Sequence, residues 1–241
     1  MKKILTCDPG LRNLSICIMN SDYQILFWNT LDILNEDSFN CTGEFKNGKI
    51  CGRKCSVKYK LDSQEIFSCK THVPKGTISK IFKRKNIDKY RLQEIAVILI
   101  QKLETVDLSG LTEIYIELQP KCNPKILFVS HIIYAKFVEI FKDTIPIKFV
   151  RASQKLKIYK GPFIECKLKG KYAQRKWLSV EYCRWFLNNK FSIDQKEIWS
   201  PFFENKKIRA DMSDTFLMCL NGLNGVDKKQ LKHKNGNEIS I

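Results

Sequence analysis

The 241-residue chain predicts a mixed α/β fold. Two observations carry that prediction. Short apolar runs at 3–7, 14–19 and 23–31 follow one another across the turn signals Pro9-Gly10 and Asn20-Ser21-Asp22, which is the pattern of a strand meander. After residue 90, segments with helical spacing of apolar side chains alternate with short strand-like runs.

The elements follow in order. Residues 92–103 place apolar side chains at 92, 95, 96, 99 and 103, a helical period. Val97, Ile98 and Ile100 make that helix apolar on nearly all sides, as expected of a buried or interface helix. Residues 112–118 read as a fourth strand. A long helix follows, with apolar or small residues at 126, 130, 133, 134, 137, 138 and 141. Pro146 precedes a fifth strand at 147–150, and two more helices are expected near 173–188 and 209–221. The tail, 223–241, is rich in Gly, Asn and Lys and reads as loose. Segment 40–86 interrupts the pattern and reads as an insertion. The division is therefore a main body of 1–39 and 87–222, an inserted module of 40–86, and a flexible tail.

Hydrophobic residues at 44% suffice for a core in a chain of this length. The net charge of +17 points to a polyanionic partner, most often nucleic acid. No run of 18 apolar residues is present, so no membrane span is expected, and the N-terminus lacks the layout of a signal peptide. Ten cysteines in that setting suggest a reducing, intracellular compartment and metal binding rather than a disulfide framework.

Three acidic clusters stand out. Asp8 ends the run Ile4-Leu5-Thr6-Cys7, just before Pro9-Gly10. Glu117 ends Ile114-Tyr115-Ile116. Asp211 and Asp214 open a helical stretch, one turn apart, where Met212, Phe216, Cys219 and Leu220 form a stripe for docking on a sheet. A carboxylate at the end of an apolar strand is costly to bury unless paired or metal-bound. Each acid alone has an ordinary reading as a turn or helix-start residue. Together, in a strongly basic chain, they suit a site for two Mg²⁺ ions, the usual machinery of phosphodiester cleavage.

Asp8-Pro-Gly, Ile116-Glu117-Leu-Gln119 and Arg209-Ala-Asp211-Met-Ser-Asp214 resemble the acidic motifs of the poxvirus-type Holliday junction resolvases, within the RuvC-like group of the ribonuclease H fold. Val150-Arg151-Ala-Ser-Gln-Lys155-Leu-Lys157 is similar to a Ser/Lys-rich segment after the fifth strand of that family. The resemblance covers about residues 3–32 and 86–222. It implies a ribonuclease H-like mixed sheet flanked by helices and a Mg²⁺-dependent endodeoxyribonuclease acting on branched DNA in recombination and repair. It also implies a homodimer, because symmetric cutting of a four-way junction needs two active sites. If the source is viral, the expected location is a cytoplasmic viral factory or the nucleus of an infected cell. Gln119, Arg151, Lys155 and Lys157 become candidate DNA contacts. Family members often carry a lysine just before the final acids. Here Arg209 stands there, with Lys206 and Lys207 upstream, and all three are kept as candidates. The alternatives are another ribonuclease H-like nuclease, acting on RNA–DNA hybrids or flaps, and a non-catalytic zinc-containing nucleic-acid-binding protein.

Cys41, Cys51, Cys55, Cys69 and His72 offer five soft-metal ligands within 32 positions, and Cys69-x-x-His72 has ligand spacing. The pattern resembles small zinc-binding inserts of large-DNA-virus proteins. One structural Zn²⁺ held by Cys41, Cys51, Cys69 and His72 is expected, with Cys55 as the alternative ligand. Cys7, Cys17 and Cys183 sit in apolar runs and read as core. His131, on the long helix, reads as packed.

The surplus charge is concentrated. Residues 41–91 hold 14 basic and 4 acidic residues, and 151–176 hold 9 basic and 1 acidic. Such stretches give salt-dependent, sequence-independent phosphate binding, and the run Lys83-Arg84-Lys85 is the best candidate in the first. Trp177, Trp185, Trp199, Phe202 and Phe203 are possible base-stacking residues, although core packing accounts for most of them.

Overall fold

The chain runs β1 (Lys3–Asp8), β2 (Asn13–Asn20), β3 (Ile25–Asp32), β4 (Val57–Leu61), β5 (Gln64–Ser68), β6 (Ser79–Ile81), α1 (Leu92–Glu104), β7 (Glu113–Glu117), α2 (Pro124–Phe141), β8 (Ile147–Val150), a 3₁₀ segment (Ala152–Ile158), α3 (Lys171–Asn189), α4 (Ile193–Phe203) and α5 (Arg209–Leu223). This computed structural model describes residues 1–34, 39–83, 89–205 and 208–224.

Five strands form the main sheet in the order β3-β2-β1-β7-β8. β1, β2 and β3 are the expected antiparallel meander, and β7 and β8 add in parallel on the other side of β1. Only β2 runs against the other four. A mixed sheet flanked by helices is what the motif resemblance leads one to expect. The two-residue period of each strand sends alternate side chains to opposite faces, and each face has its own core. Leu5, Cys7, Ile16, Ile114 and Ile116 pack against α1 and α2 through Ile95, Leu99, Leu103, Val129, Ile133 and Phe137. Ile4, Cys17, Met19 and Trp28 pack against α3, α4 and α5 through Val180, Cys183, Leu187, Phe203, Phe216 and Leu220.

Local chemistry sets the helix starts. Pro124 opens α2, and the Asn123 side chain accepts the Ile126 N–H at 3.2 Å, satisfying one of the orphan donors of the first turn. In α5 every residue from Met212 to Leu220 is buried.

Three elements depart from the sequence expectation. α1 is not buried on all sides within the chain: Ile95, Leu99 and Leu103 face the core, while Val97 is 49% exposed. α4 was not foreseen, because Pro201 lies inside it. Segment 40–86 reads in sequence as an insertion without named strands, yet within it β4, β5 and β6 form a second sheet, ordered β5-β4-β6. The β4–β5 hairpin turns on Asp62 and Ser63, both with positive φ, a tight turn compatible with strand twist but made without the Gly that would have signalled it. Phe39, Phe67 and Phe82 pack ring on ring at 4.7–5.0 Å beside Cys41, Cys55 and Cys69.

Candidate active site

β1 and β7 are neighbours in parallel register, with Cys7 opposite Ile116. The next residue on each strand is an acid. Asp8 and Glu117 therefore leave the sheet side by side. Asp8 is in phase with Ile4 and Thr6, and Ile4 and Thr6 lie under α5. The Thr6 hydroxyl donates to the Thr215 carbonyl at 2.7 Å, which fixes the depth at which α5 rides on β1. That docking brings Asp214 to the two strand-end acids. One carboxylate oxygen from each of Asp8, Glu117 and Asp214 lies within 4.8 Å of the others. Asp211, one turn earlier, stands at the edge of this trio and is bridged to it by a shared lysine.

Two lysines are threaded into the acids. Lys155, from the 3₁₀ segment after β8, lies 2.8 Å from Glu117 Oε2 and 2.7 Å from Asp214 Oδ2. Lys176, from α3, lies 2.8 Å from the same Asp214 oxygen and 3.0 Å from Asp211 Oδ1. The Ser179 hydroxyl, one turn along α3, hydrogen-bonds Asp214 Oδ1. Asp214 is thus pinned on both oxygens. Among the described residues, Asp8 has only a long hydrogen bond from the Gln119 amide, at 3.3 Å.

The electrostatics follow the geometry. Burial would raise the Asp214 carboxyl, but Lys155 and Lys176 outweigh it and hold the group below its ordinary value. Burial, then Glu117 and Asp214, push Asp8 well above the usual carboxylate range, and the two lysines offset this only in part. Burial would lower the two ammonium groups. Asp214 and Glu117 overcome this at Lys155, and Asp214 and Asp211 at Lys176, so both are held above the ordinary lysine value. The site has a carboxylate shortage of positive charge at Asp8 and a satisfied ion-pair network at Asp214.

The acids and lysines line a cavity of about 540 Å³, together with Gln119, Tyr172 and Arg175. The donor set is all oxygen, which suits a hard divalent cation such as Mg²⁺.

The second ligand group lies in segment 40–86, beside the second sheet. Cys41, Cys51, Cys69 and His72 place four ligand atoms within 4.8 Å of one another. Cys69 Sγ and Cys41 Sγ lie 3.4 and 3.5 Å from His72 Nδ1, and Cys51 Sγ lies 3.8 Å from Cys69 Sγ. Gly52, at positive φ, turns the chain so that its N–H reaches the Cys41 carbonyl at 3.0 Å. Gly43 lies so close to the His72 ring that a Cβ there would sit 2.6 Å from Cγ. Burial pushes the Cys41 thiol up. Hydrogen bonds from the Cys69 backbone, Ser68, the Gly43 backbone and His72 reverse that and bring it down to about 6, so it is ready to act as a thiolate. A Cys₃His set fits Zn²⁺. Cys55 lies outside this set of four, buried in the cluster with the three phenylalanines.

The other sequence candidates scatter. Lys155 points inward to the acids rather than out to solvent, whereas Arg151 and Lys157 are exposed. Lys83 is exposed on the inserted module, and Arg209 is half-buried at the start of α5. Arg84, Lys85, Lys206 and Lys207 lie outside the described residues. Phe203 is buried against Trp28, and Phe202 is 54% exposed. His131, expected to be packed, is exposed on α2, with its ring edge-on to the partly exposed Phe149 at 6.4 Å. Lys176 and Ser179 were not foreseen. Their three-residue spacing puts them on one helix face, but nothing in sequence separates Lys176 from Lys171 or Arg175.

No family model matches the chain. The uncharacterized protein L451 of Acanthamoeba polyphaga mimivirus is 28% identical over 202 residues, or 73% of this chain and 47% of that protein. The chain thus spans about half the length of the curated relative it matches. Among solved structures, it is similar to Thermus thermophilus RuvC in complex with a Holliday junction substrate, at 10% identity over 93% of this chain and 97% of that one, with a TM-score of 0.43. It is also similar to fowlpox virus resolvase in complex with Holliday junction DNA, at 14% identity over 94% and 99%, with a TM-score of 0.40.

Proposed function

We propose that this chain is a divalent-metal-dependent endonuclease that resolves four-way DNA junctions. The observation that carries the reading is the convergence of Asp8, Glu117 and Asp214, with Asp211 beside them, on one all-oxygen site in a chain of net charge +17. In the reading, 1–39 and 87–222 form the nuclease body, 40–86 a module built around one structural Zn²⁺, and 223–241 a tail. Preference for a branched substrate rests on the motif resemblance, as does a homodimer with two sites. A viral source, with its intracellular setting, agrees with the mimivirus relative.

Asp8, Glu117, Asp211 and Asp214 would hold two Mg²⁺ ions. When bound, they supply an activated water and neutralise charge on the attacked phosphate and the leaving 3′ oxygen. The chain's own groups do the rest. Lys155 fixes the spacing between Glu117 and Asp214. Ser179 sets the rotamer of Asp214. Gln119 orients Asp8. Arg175 at the cavity wall, and Arg151 and Lys157 on the adjoining surface, provide phosphate contacts that position the strand.

The test is Mg²⁺-dependent cleavage of a synthetic four-way junction, compared with linear duplex, a flap and an RNA–DNA hybrid. Symmetric nicks in the junction alone are expected. Asp8→Asn combined with Glu117→Gln should abolish them while junction binding persists. Cleavage by that double variant at the wild-type rate would rule the site out, and preference for the hybrid would move the protein to another ribonuclease H-like activity.

A further inference from the structure

The two lysines in the acid cluster are not equivalent. Lys155 is 9% exposed along its side chain and is held between Glu117 and Asp214, of which Asp214 is 1% exposed. Lys176 is 28% exposed and reaches Asp214 from the cavity side, with its other partner, Asp211, 35% exposed. Only Lys176 can leave the acids without opening the core.

Charge makes that difference matter. With all four carboxylates ionised, the two ammonium groups leave the site two charges negative. One divalent ion restores balance. The place for it is beside Asp8, which has no ammonium group within ion-pair distance among the described residues. A second ion would have to share Asp214 and Asp211 with the Lys176 ammonium, which already spans both. Two divalent ions plus both lysines would overcharge a half-buried site, and that is costly without a counter-anion. A phosphodiester in the cavity is such an anion, and Arg175, one residue away on α3, lines the same wall.

We propose that Lys176 is a displaceable internal cation. It fills the Asp211–Asp214 end of the site until a DNA phosphate draws it off, so the protein alone takes one divalent ion and takes the second only with substrate. This rests on the metal-dependent nuclease reading. It makes Lys176 a positioning residue that couples metal loading to DNA binding.

The test counts Mn²⁺ bound to the zinc-loaded full chain, without DNA, by the loss of the free-ion electron paramagnetic resonance signal. Wild type should bind one ion. Lys176→Met should bind two, with the second tightened at least about tenfold by removal of a positive charge a few ångströms away. Lys176→Arg should bind one. Lys176→Gln keeps a hydrogen-bond donor, drops the charge and should also bind two, which covers a Met variant that fails to fold. Two equally tight ions on wild type would overturn the proposal, as would one ion on both neutral variants, and either result leaves the nuclease reading intact. No Mn²⁺ on any of the proteins would sink the nuclease reading itself.

Discussion

The indole N–H of Trp28 donates to the carbonyl of Met212 at 2.8 Å. Met212 lies between the two acids of α5, so a residue of β3 holds the turn that presents them. The indole is buried and stacks on Phe203 at 5.5 Å and beside Phe216 at 5.1 Å. Trp28→Phe keeps most of the packing and loses the hydrogen bond, for an expected loss of about 1 kcal/mol. Trp28→Ala should cost about 3–5 kcal/mol. Urea unfolding measures both. No loss in Trp28→Phe would mean that the hydrogen bond is immaterial.

The raised Asp8 carboxyl has a consequence for stability. Between the unfolded carboxylate value of about 4 and the higher folded value, the folded chain binds more protons than the unfolded one. Without metal, stability therefore falls as pH rises through that window. Asp8→Asn removes the burden, so the metal-free variant should melt above metal-free wild type at neutral pH and level with it in acid. Mg²⁺ should raise the wild-type melting temperature far more than the variant's. A metal-free Asp8→Asn protein that melts lower at neutral pH would contradict this.

Lys155 and Lys157 are two residues apart and should behave as opposites. Lys157→Ala should leave the fold intact and reduce the slope of log K against log salt for junction binding by about 0.9. Lys155→Ala takes from half-buried Glu117 its lysine and from buried Asp214 one of its two lysines, and should cost about 3 kcal/mol of stability. Thermal melts and salt titrations of the two variants separate these outcomes. The same change in both would refute the assignment.

One Zn²⁺ per chain should co-purify. Cys69→Ser should release it and expose the module to protease, because binding and folding are coupled in such units. Cys55→Ser should keep it, since Cys55 shares the buried cluster of Cys41 and Cys69 but is not among the four residues whose ligand atoms converge. Elemental analysis of each protein decides, and zinc lost from Cys55→Ser would reassign the fourth ligand.

Much of this architecture was legible in sequence, for a physical reason. Apolar runs broken by Pro9-Gly10 and Asn20-Ser21-Asp22 announced β1, β2 and β3, and the acids were visible because a carboxylate is conspicuous at the end of an apolar strand. The hairpin of the inserted module was hidden because Asp62 and Ser63 make a left-handed turn without Gly. Lys155 read as a surface cation because charge counts give no direction to a side chain. Only the 3₁₀ segment after β8 turns it inward. Lys176 comes from α3, a helix with no acid of the site on it, and its role exists only in the packed structure.

The burial of α5 has an evolutionary reading. Asp8 and Glu117 sit at strand ends, where a neighbouring loop can vary without moving the sheet. Asp214 sits among residues buried from Met212 to Leu220, so the wedge that closes one core also carries the acid. Substitutions that repack that core will also shift the acid. Drift in this lineage should therefore spare α5 and accumulate in loops and in the inserted module, which can be remodelled or replaced while the carboxylates keep their places.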